Sequence, residues 1–394
     1  MTIIELIFWI CIAIVFYSYI GYGFLLWILN KVIPFRRKNI LPQNFEPEVT
    51  LITALYNEEE IVEEKIRNTF SINYPQHKLH LLFITDGSTD GTMEIIERYP
   101  RIKLMHRDGR SGKTAAINRA MESVKTPVVV FCDANTFLNP DCIKELVKHF
   151  ADSKTGAVAG EKKIMASGEA AGAGEGIYWK YESALKQLDS RFYSVVGAAG
   201  ELFAVRTELY EPVEKNVLLD DFIISMRICM KGYRVVYEPA AFALEAPSMN
   251  MREEQKRKIR ISAGGIQSVL MLLPLLNIFR YGRLSFQYIS HRVLRWIVCP
   301  PLLPLIFILN AFLVYKNAGK VYTIFFAAQC LFYLAAALGW VFARMNRKIK
   351  VLYIPYYFTF MNAAMFLGFK RFLNNSQSVI WDKATRSVHT PGKI

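Results

Sequence analysis

Zinc and disulfide chemistry have little to draw on in this chain. Cysteine and histidine number six each among 394 residues. The cysteines (Cys11, Cys132, Cys142, Cys229, Cys299 and Cys330) are scattered, with no CxxC and no Cys/His spacing. That pattern excludes a zinc module or a disulfide framework and fits a reducing compartment. Charge is also sparse, at 21%, against 53% hydrophobic residues and a mean hydropathy of +0.20. An ordinary soluble enzyme is less apolar than this, and a pure transporter is less charged. The two are reconciled by segregation along the chain. Residues 1–30 and about 295–373 are apolar, whereas the middle reads as a soluble domain long enough for one sizeable core. No nucleic-acid-binding motif accompanies the net charge of +14, so nucleic acid is not an expected partner. Membrane flanks, anionic lipid and a phosphate-bearing substrate are the expected ones.

Residues 3–29 form an apolar run of spanning length, without the basic amino-terminal region or small-residue cleavage site of a signal peptide. Only Glu5 precedes its apolar centre, while Lys31, Arg36, Arg37 and Lys38 follow it. The positive-inside rule then places the amino terminus outside and the central domain in the cytoplasm. Further spans are expected at about 296–315, 321–343 and 351–370, preceded by a short apolar stretch (268–279) and a basic amphipathic one (283–295) suited to the membrane interface. Strict alternation would leave the tail outside, although Lys370, Arg371, Lys383 and Arg386 favour the inside. The expected organisation is an anchor (1–30), a cytosolic domain (31–265), interfacial helices (266–295), membrane segments (296–373) and a tail (374–394).

Within the middle, strands are expected at 48–54, 79–85, 102–106 and 127–132, alternating with helices at 58–70, 93–99 and 114–124. This alternation predicts an α/β fold with a mostly parallel sheet and helices on both faces. Ligands then bind at the carboxyl ends of the strands. Polar clusters fall at those ends. Asp133-Ala134-Asn135 follows an apolar strand and offers two oxygen donors to Mg²⁺ or Mn²⁺, or else simply makes a turn. DGSTDGT (86–92) permits close backbone approach, with Thr89 or Asp90 available to cap the next helix. RDGRSGKT (107–114) is basic and glycine-rich at a helix start, which suits phosphate. It is not a P-loop, because Arg107 stands where that motif needs glycine. Leu219-Asp220-Asp221 opens a helical segment running to Lys231. Its acids either complement the helix dipole or take a proton from a hydroxyl. Arg257 and Arg260 lie on one face of a helix, as membrane-surface cations or as partners for a diphosphate.

In this order, the segments ALYNE (54–58), DGSTDGT, RSGKT, DAN, LDD with GYRVVYEP, and RKIR resemble the membrane-integrated family-2 glycosyltransferases, the group of cellulose, hyaluronan and poly-N-acetylglucosamine synthases. The resemblance covers about residues 48–265. It implies a GT-A fold and an inverting hexosyl- or N-acetylhexosaminyltransferase in the cell membrane. It also implies a UDP-type sugar donor, a polysaccharide or lipid-linked acceptor and a divalent metal. Carried onto this chain, Tyr56, Glu58, Asp86 and Lys113 would bind the donor, and Asp133 with Asn135 would hold the metal. Asp221 would be the general base, Arg257 and Arg260 would contact the diphosphate, and Gly200 and Glu201 would lie on the acceptor side. Three departures stand out: Asn135 replaces the second acid of the DxD motif, Leu219-Asp220-Asp221 stands for TED while keeping its aspartate, and Ile261 replaces the tryptophan of (Q/R)xxRW. The lost aromatic weakens the case for a processive polymer synthase without deciding it, and a non-processive glycolipid-forming transferase is the alternative within the class; Trp381 in the tail offers another ring. A nucleotide-sensing transporter component is the alternative from another class. The apolar runs weigh against it, because they hold no ionisable residue deep in the bilayer.

Overall fold

The computed structural model describes residues 1–32, 45–165, 170–248, 251–345 and 349–374, without the side chains of 170–178 and 350. Arg36, Arg37, Lys38, Trp381, Lys383 and Arg386 lie outside the described residues. In chain order the elements are α1 (Ile3–Val32), β1 (Val49–Leu55), α2 (Glu59–Phe70), β2 (Leu79–Thr85), α3 (Thr92–Glu97), β3 (Ile102–Met105) and α4 (Lys113–Met121). There follow β4 (Val128–Asp133), β5 (Thr136–Leu138), α5 (Cys142–Val147), β6 (Thr155–Ile164), α6 (Ala170–Phe192), β7 (Leu202–Arg206), α7 (Asp220–Met230), β8 (Arg234–Glu245) and α8 (Met251–Met271). The last long helices are α9 (Arg283–Tyr315), α10 (Lys320–Arg344) and α11 (Lys350–Leu373).

The β-branched and apolar strands are buried on both faces, and their alternation sorts side chains into two cores. Leu51, Leu55, Val128 and Val130 face α2, α3 and α5 through Val62, Ile66, Ile96 and Leu146. Ile52, Ala54, Val129 and Phe131 face α4, α7 and α8 through Ala116, Ile117, Phe222 and Val269. The eight strands run in the order β3-β2-β1-β4-β7-β6-β8-β5. The β1–β2, β1–β4, β2–β3 and β6–β8 pairs are parallel, while β7 and β5 run against their neighbours. The sheet is therefore mostly parallel, as expected, with antiparallel strands in its second half that the sequence pattern did not show.

Four helices are long and apolar enough to cross a membrane: Ile3–Val32, Arg283–Tyr315, Lys320–Arg344 and Val351–Leu373. The basic stretch 283–295 is continuous with the apolar helix after it. Its His291, Arg292 and Arg295 are buried against Glu182 of α6. Just before it, Leu275 packs into the domain core while Phe279 is 98% exposed. Helix α11 lies close on α8. A Cβ added at Gly368 would meet Ser262 Cβ at 2.6 Å and Ala263 N at 2.8 Å.

Candidate active site

Register brings the expected residues together. Leu55 pairs with Thr85 and Ala54 with Asp133, so Tyr56, Asp86 and Asp133 stand side by side at the carboxyl ends of β1, β2 and β4. Here the strand order reverses, which is where open α/β sheets form their ligand crevice. The loops brace one another. Asn57, at φ 51°, accepts from the Thr89 amide at 2.8 Å, and the Glu58 amide donates to Thr92 at 2.9 Å. Asp90, not Thr89, accepts from the Thr92 amide at the start of α3. Buried Asp86 accepts from the Ser111 and Gly112 amides, at 3.0 and 2.7 Å, and so fixes the glycine-rich turn that opens α4. Gly87, at φ 70°, permits this approach, because a Cβ there would lie 2.8 Å from the Gly109 carbonyl carbon. The Arg110 guanidinium stacks 3.6 Å from the centre of the Tyr56 ring.

Charge converges beneath these loops. Lys113 Nζ pairs with Asp133 Oδ1 at 2.5 Å. Burial pulls the Lys113 ammonium down, but Asp133, Asp220 and Asp221 outweigh it and hold it above the ordinary lysine range. For Asp133, burial outweighs Lys113 and raises the carboxyl, with Glu201 and Glu245 adding to the rise. Burial and Asp220 push the Asp221 carboxyl up to about 7, against the pull of Lys113. Gly200 lies between them: a Cβ there would be 3.4 Å from Asp221 Oδ2 and 3.5 Å from Lys113 Nζ. Glu201 adjoins this group because Cys132 pairs with Leu202 across β4 and β7. It pairs with Lys162 at 2.5 Å, and Lys162 also pairs with buried Glu245. Asn135 Nδ2 reaches Glu245 Oε1 at 3.5 Å.

Arg257 pairs with Glu254 at 2.9 Å and Glu245 at 3.6 Å, so it joins the cluster from α8. It lines a cavity of about 430 Å³ together with Asp221, Glu201, Lys162 and Lys258. Arg260 is half-buried on the same helix and, among the described residues, does not line that cavity. The cavity residues that local sequence did not single out include Trp179, Trp296 and Lys186. Both tryptophans line the chamber with Ile261, one from α6 and one from α9. Nothing in local spacing marks them.

Among the described residues no group of three or more His, Cys, Asp or Glu side chains gathers to hold a metal alone. Asp133 and Asn135 nevertheless supply hard oxygen donors beside further carboxylates. Such a partial set fits Mg²⁺ or Mn²⁺ when substrate phosphate oxygens and water complete the shell.

Residues 50–213 match the family described as "Glycosyl transferase family 2". Poly-beta-1,6-N-acetyl-D-glucosamine synthase from Staphylococcus aureus (strain COL) is 26% identical over 234 residues, 56% of this chain and 55% of the relative. The same-named protein from Staphylococcus epidermidis is 24% identical over 261 residues, 63% and 62% of the two chains. The chain thus spans between 55% and 62% of the length of these curated relatives. The mannosyltransferase PcManGT from Pyrobaculum calidifontis, solved with GDP-Man and Mn²⁺, superposes with a TM-score of 0.70 at 24% identity, over 94% of this chain and 100% of that one. That likeness identifies the GT-A type of α/β fold. Residues 50–213 thus resemble a glycosyl transferase family 2 domain, and the match includes the strand-end loops that carry Tyr56, Asp86, Lys113 and Asp133.

Proposed function

We propose that this protein is a family-2-type glycosyltransferase that moves a sugar, with inversion, from a nucleoside-diphosphate donor to an acceptor hydroxyl at a membrane, with Asp221 as general base. The observation that carries this reading is the convergence of Lys113, Asp133, Gly200 and Asp221, with the Asp221 carboxyl held near 7, where a base works best. The acceptor oxygen attacks the anomeric carbon from the side opposite the diphosphate. Its proton passes to Asp221, the bond from the anomeric carbon to the diphosphate oxygen breaks, and the nucleoside diphosphate departs with the bonding electrons. Lys113 and Arg257 offset the charge that develops on the leaving group.

The Tyr56–Arg110 stack, with Glu58 and Asp86 behind it, forms the nucleoside side of the crevice, and Arg260 lies farther along the α8 face. Asp133 and Asn135 would hold Mg²⁺ or Mn²⁺, which when bound supplies further positive charge at the diphosphate. The relatives named poly-N-acetylglucosamine synthases support UDP-N-acetylglucosamine as donor, while the solved mannosyltransferase carries GDP-Man, so both belong in the test. The four apolar helices and the basic flank of the first support a multi-pass protein of the cell membrane with its catalytic domain in the cytoplasm. Purified full-length protein is expected to release nucleoside diphosphate from one of UDP-N-acetylglucosamine, UDP-glucose or GDP-mannose, and to lose that activity in chelator. No release from any of them, with Mn²⁺ or Mg²⁺ present, overturns the reading.

A further inference from the structure

We propose that the chamber beside Asp221 receives a phosphate-bearing, lipid-linked acceptor, with the phosphate on Lys186 and Arg292 and the hydrocarbon tail in a groove between α9, α10 and α11. The inference rests on the transferase reading and specifies its acceptor.

Lys186 is the first observation. Its side chain is only 4% exposed and lines the chamber that holds Asp221. Among the described residues its ammonium makes no hydrogen bond or ion pair; it faces the rings of Trp179 at 5.4 Å and Tyr237 at 5.9 Å. A buried cation without an anion carries a large desolvation cost, so the site is incomplete without one. Glu182, Glu201 and Glu161 attract it from a distance, but among the described residues none bonds it. Glu182, one helical turn before it on α6, is shared by His291 at 3.3 Å, Arg292 at 3.3 Å and Arg295 at 2.7 Å. Burial first and then the neighbouring Arg292 lower the Lys186 ammonium, outweighing the pull of Glu182, Glu201 and Glu161.

The second observation is where the chamber leads. Phe358 and Asn362 of α11 line it and also line a second cavity of about 320 Å³. That second cavity is bounded by Pro304 and Phe307 of α9, Tyr333 of α10 and Phe366 of α11, all on helices of membrane-spanning character. A glycan needs hydrogen-bonding partners along its length, and these walls offer rings and methylenes instead. A hydrocarbon chain is the complementary occupant. Between groove and base, Trp179 and Trp296 leave a ring-lined space for the headgroup sugar, so that its hydroxyl meets Asp221 while its phosphate meets Lys186 and Arg292.

The test measures binding without donor, so it is independent of nucleotide release, which tests the transferase reading. Full-length protein in phosphatidylcholine nanodiscs is titrated with farnesyl phosphate, farnesol and inorganic phosphate, with empty discs subtracted. Farnesyl phosphate is expected to bind at least tenfold more tightly than either of the others. Lys186→Gln is expected to weaken farnesyl phosphate at least tenfold and farnesol less than twofold, with Lys186→Arg retaining most of the affinity. Ala363→Phe, in the groove, is expected to weaken both lipids and spare inorganic phosphate. Farnesol binding as tightly as its phosphate overturns the headgroup site, and so does a silent Lys186→Gln. Inorganic phosphate binding as tightly as farnesyl phosphate overturns the lipid and leaves a free-anion site. Because the wild-type ligand series decides by itself, a variant that fails to fold does not rescue the proposal.

Discussion

Burial and Asp220 raise the Asp221 carboxyl to about 7 while Lys113 opposes them, and two consequences follow in opposite directions of pH. A base must be ionised to accept a proton, so the rate should rise about tenfold per pH unit below 7 and level off above it. Asp221→Asn should lower transfer by about 10²–10⁴, the usual worth of a positioned base, with nucleotide binding retained. Loss of nucleotide binding instead would make Asp221 a donor ligand. For stability the sign is reversed. The folded carboxyl sits above its unfolded value of 3.8, so its favourable contribution is present at low pH and is lost as pH rises through 7. Asp221→Asn should therefore raise the Tm at pH 8 and leave it nearly unchanged near pH 4. Lys162 tests the same electrostatics from the other side. It is 2% exposed and joins Glu201 to Glu245, so Lys162→Met takes the shared cation from a half-buried Glu201 and a buried Glu245, which keeps its longer contact with Arg257. Breaking such a pair costs about 3–5 kcal/mol. The loss of Tm should be larger at pH 8 than at pH 5, where protonation relieves the repulsion. An equal loss at both pH values would mean that packing, not charge, is what Lys162 supplies.

At the scale of elements, the first half of the sheet was legible because each strand is an apolar run closed by a polar turn. β2 spans Leu79–Thr85 as read, and the ends of β1, β4 and α4 shift by a few residues at most. The strand-end residues Tyr56, Asp86 and Asp133 could be read from the same pattern. β5 and β7 could not, being three and five residues long and fixed by antiparallel pairing with distant partners, Glu245 through Ala243 and Cys132 through Val128. Lys186, Trp179 and Trp296 were hidden for a related reason: α6 and α9 meet Asp221 only through tertiary packing. α8 makes that connection. Its Gln267 accepts from the Leu218 amide at 3.0 Å, and a Cβ at Gly264 would lie 2.8 Å from Leu219 Cγ, so this helix holds the turn that presents Asp221. α11 presses on the opposite side of α8 at Gly368. Gly368→Leu should therefore lower both Tm and nucleotide release although it touches no substrate group. A variant with normal Tm and normal release would show that the α8–α11 contact does not govern the base.

For the whole molecule, the question is whether the catalytic domain ends before the membrane-facing helices begin. Sequence reading draws a boundary near 265, because composition changes there. The core does not respect it. Val269, Leu272, Leu275, Leu284 and Tyr288 belong to the same buried cluster as Ile52, Val129 and Phe203 of the central sheet, and Trp296 packs against it. Burying a side chain of this size contributes about 1.5–3 kcal/mol, so five of them amount to about 10 kcal/mol. That equals the whole net stability of a typical domain, about 5–15 kcal/mol. A fragment of residues 45–248 should consequently fail to unfold cooperatively and should aggregate through the uncovered face of α4 and α7. Full-length protein in detergent should give a single transition, because the sheet, α8 and α9 share one core. The check is a thermal melt of both proteins followed by tryptophan fluorescence and light scattering. A soluble fragment with a sharp transition near that of the full chain would show that the sheet is sufficient by itself, and that the later helices serve the acceptor rather than the fold.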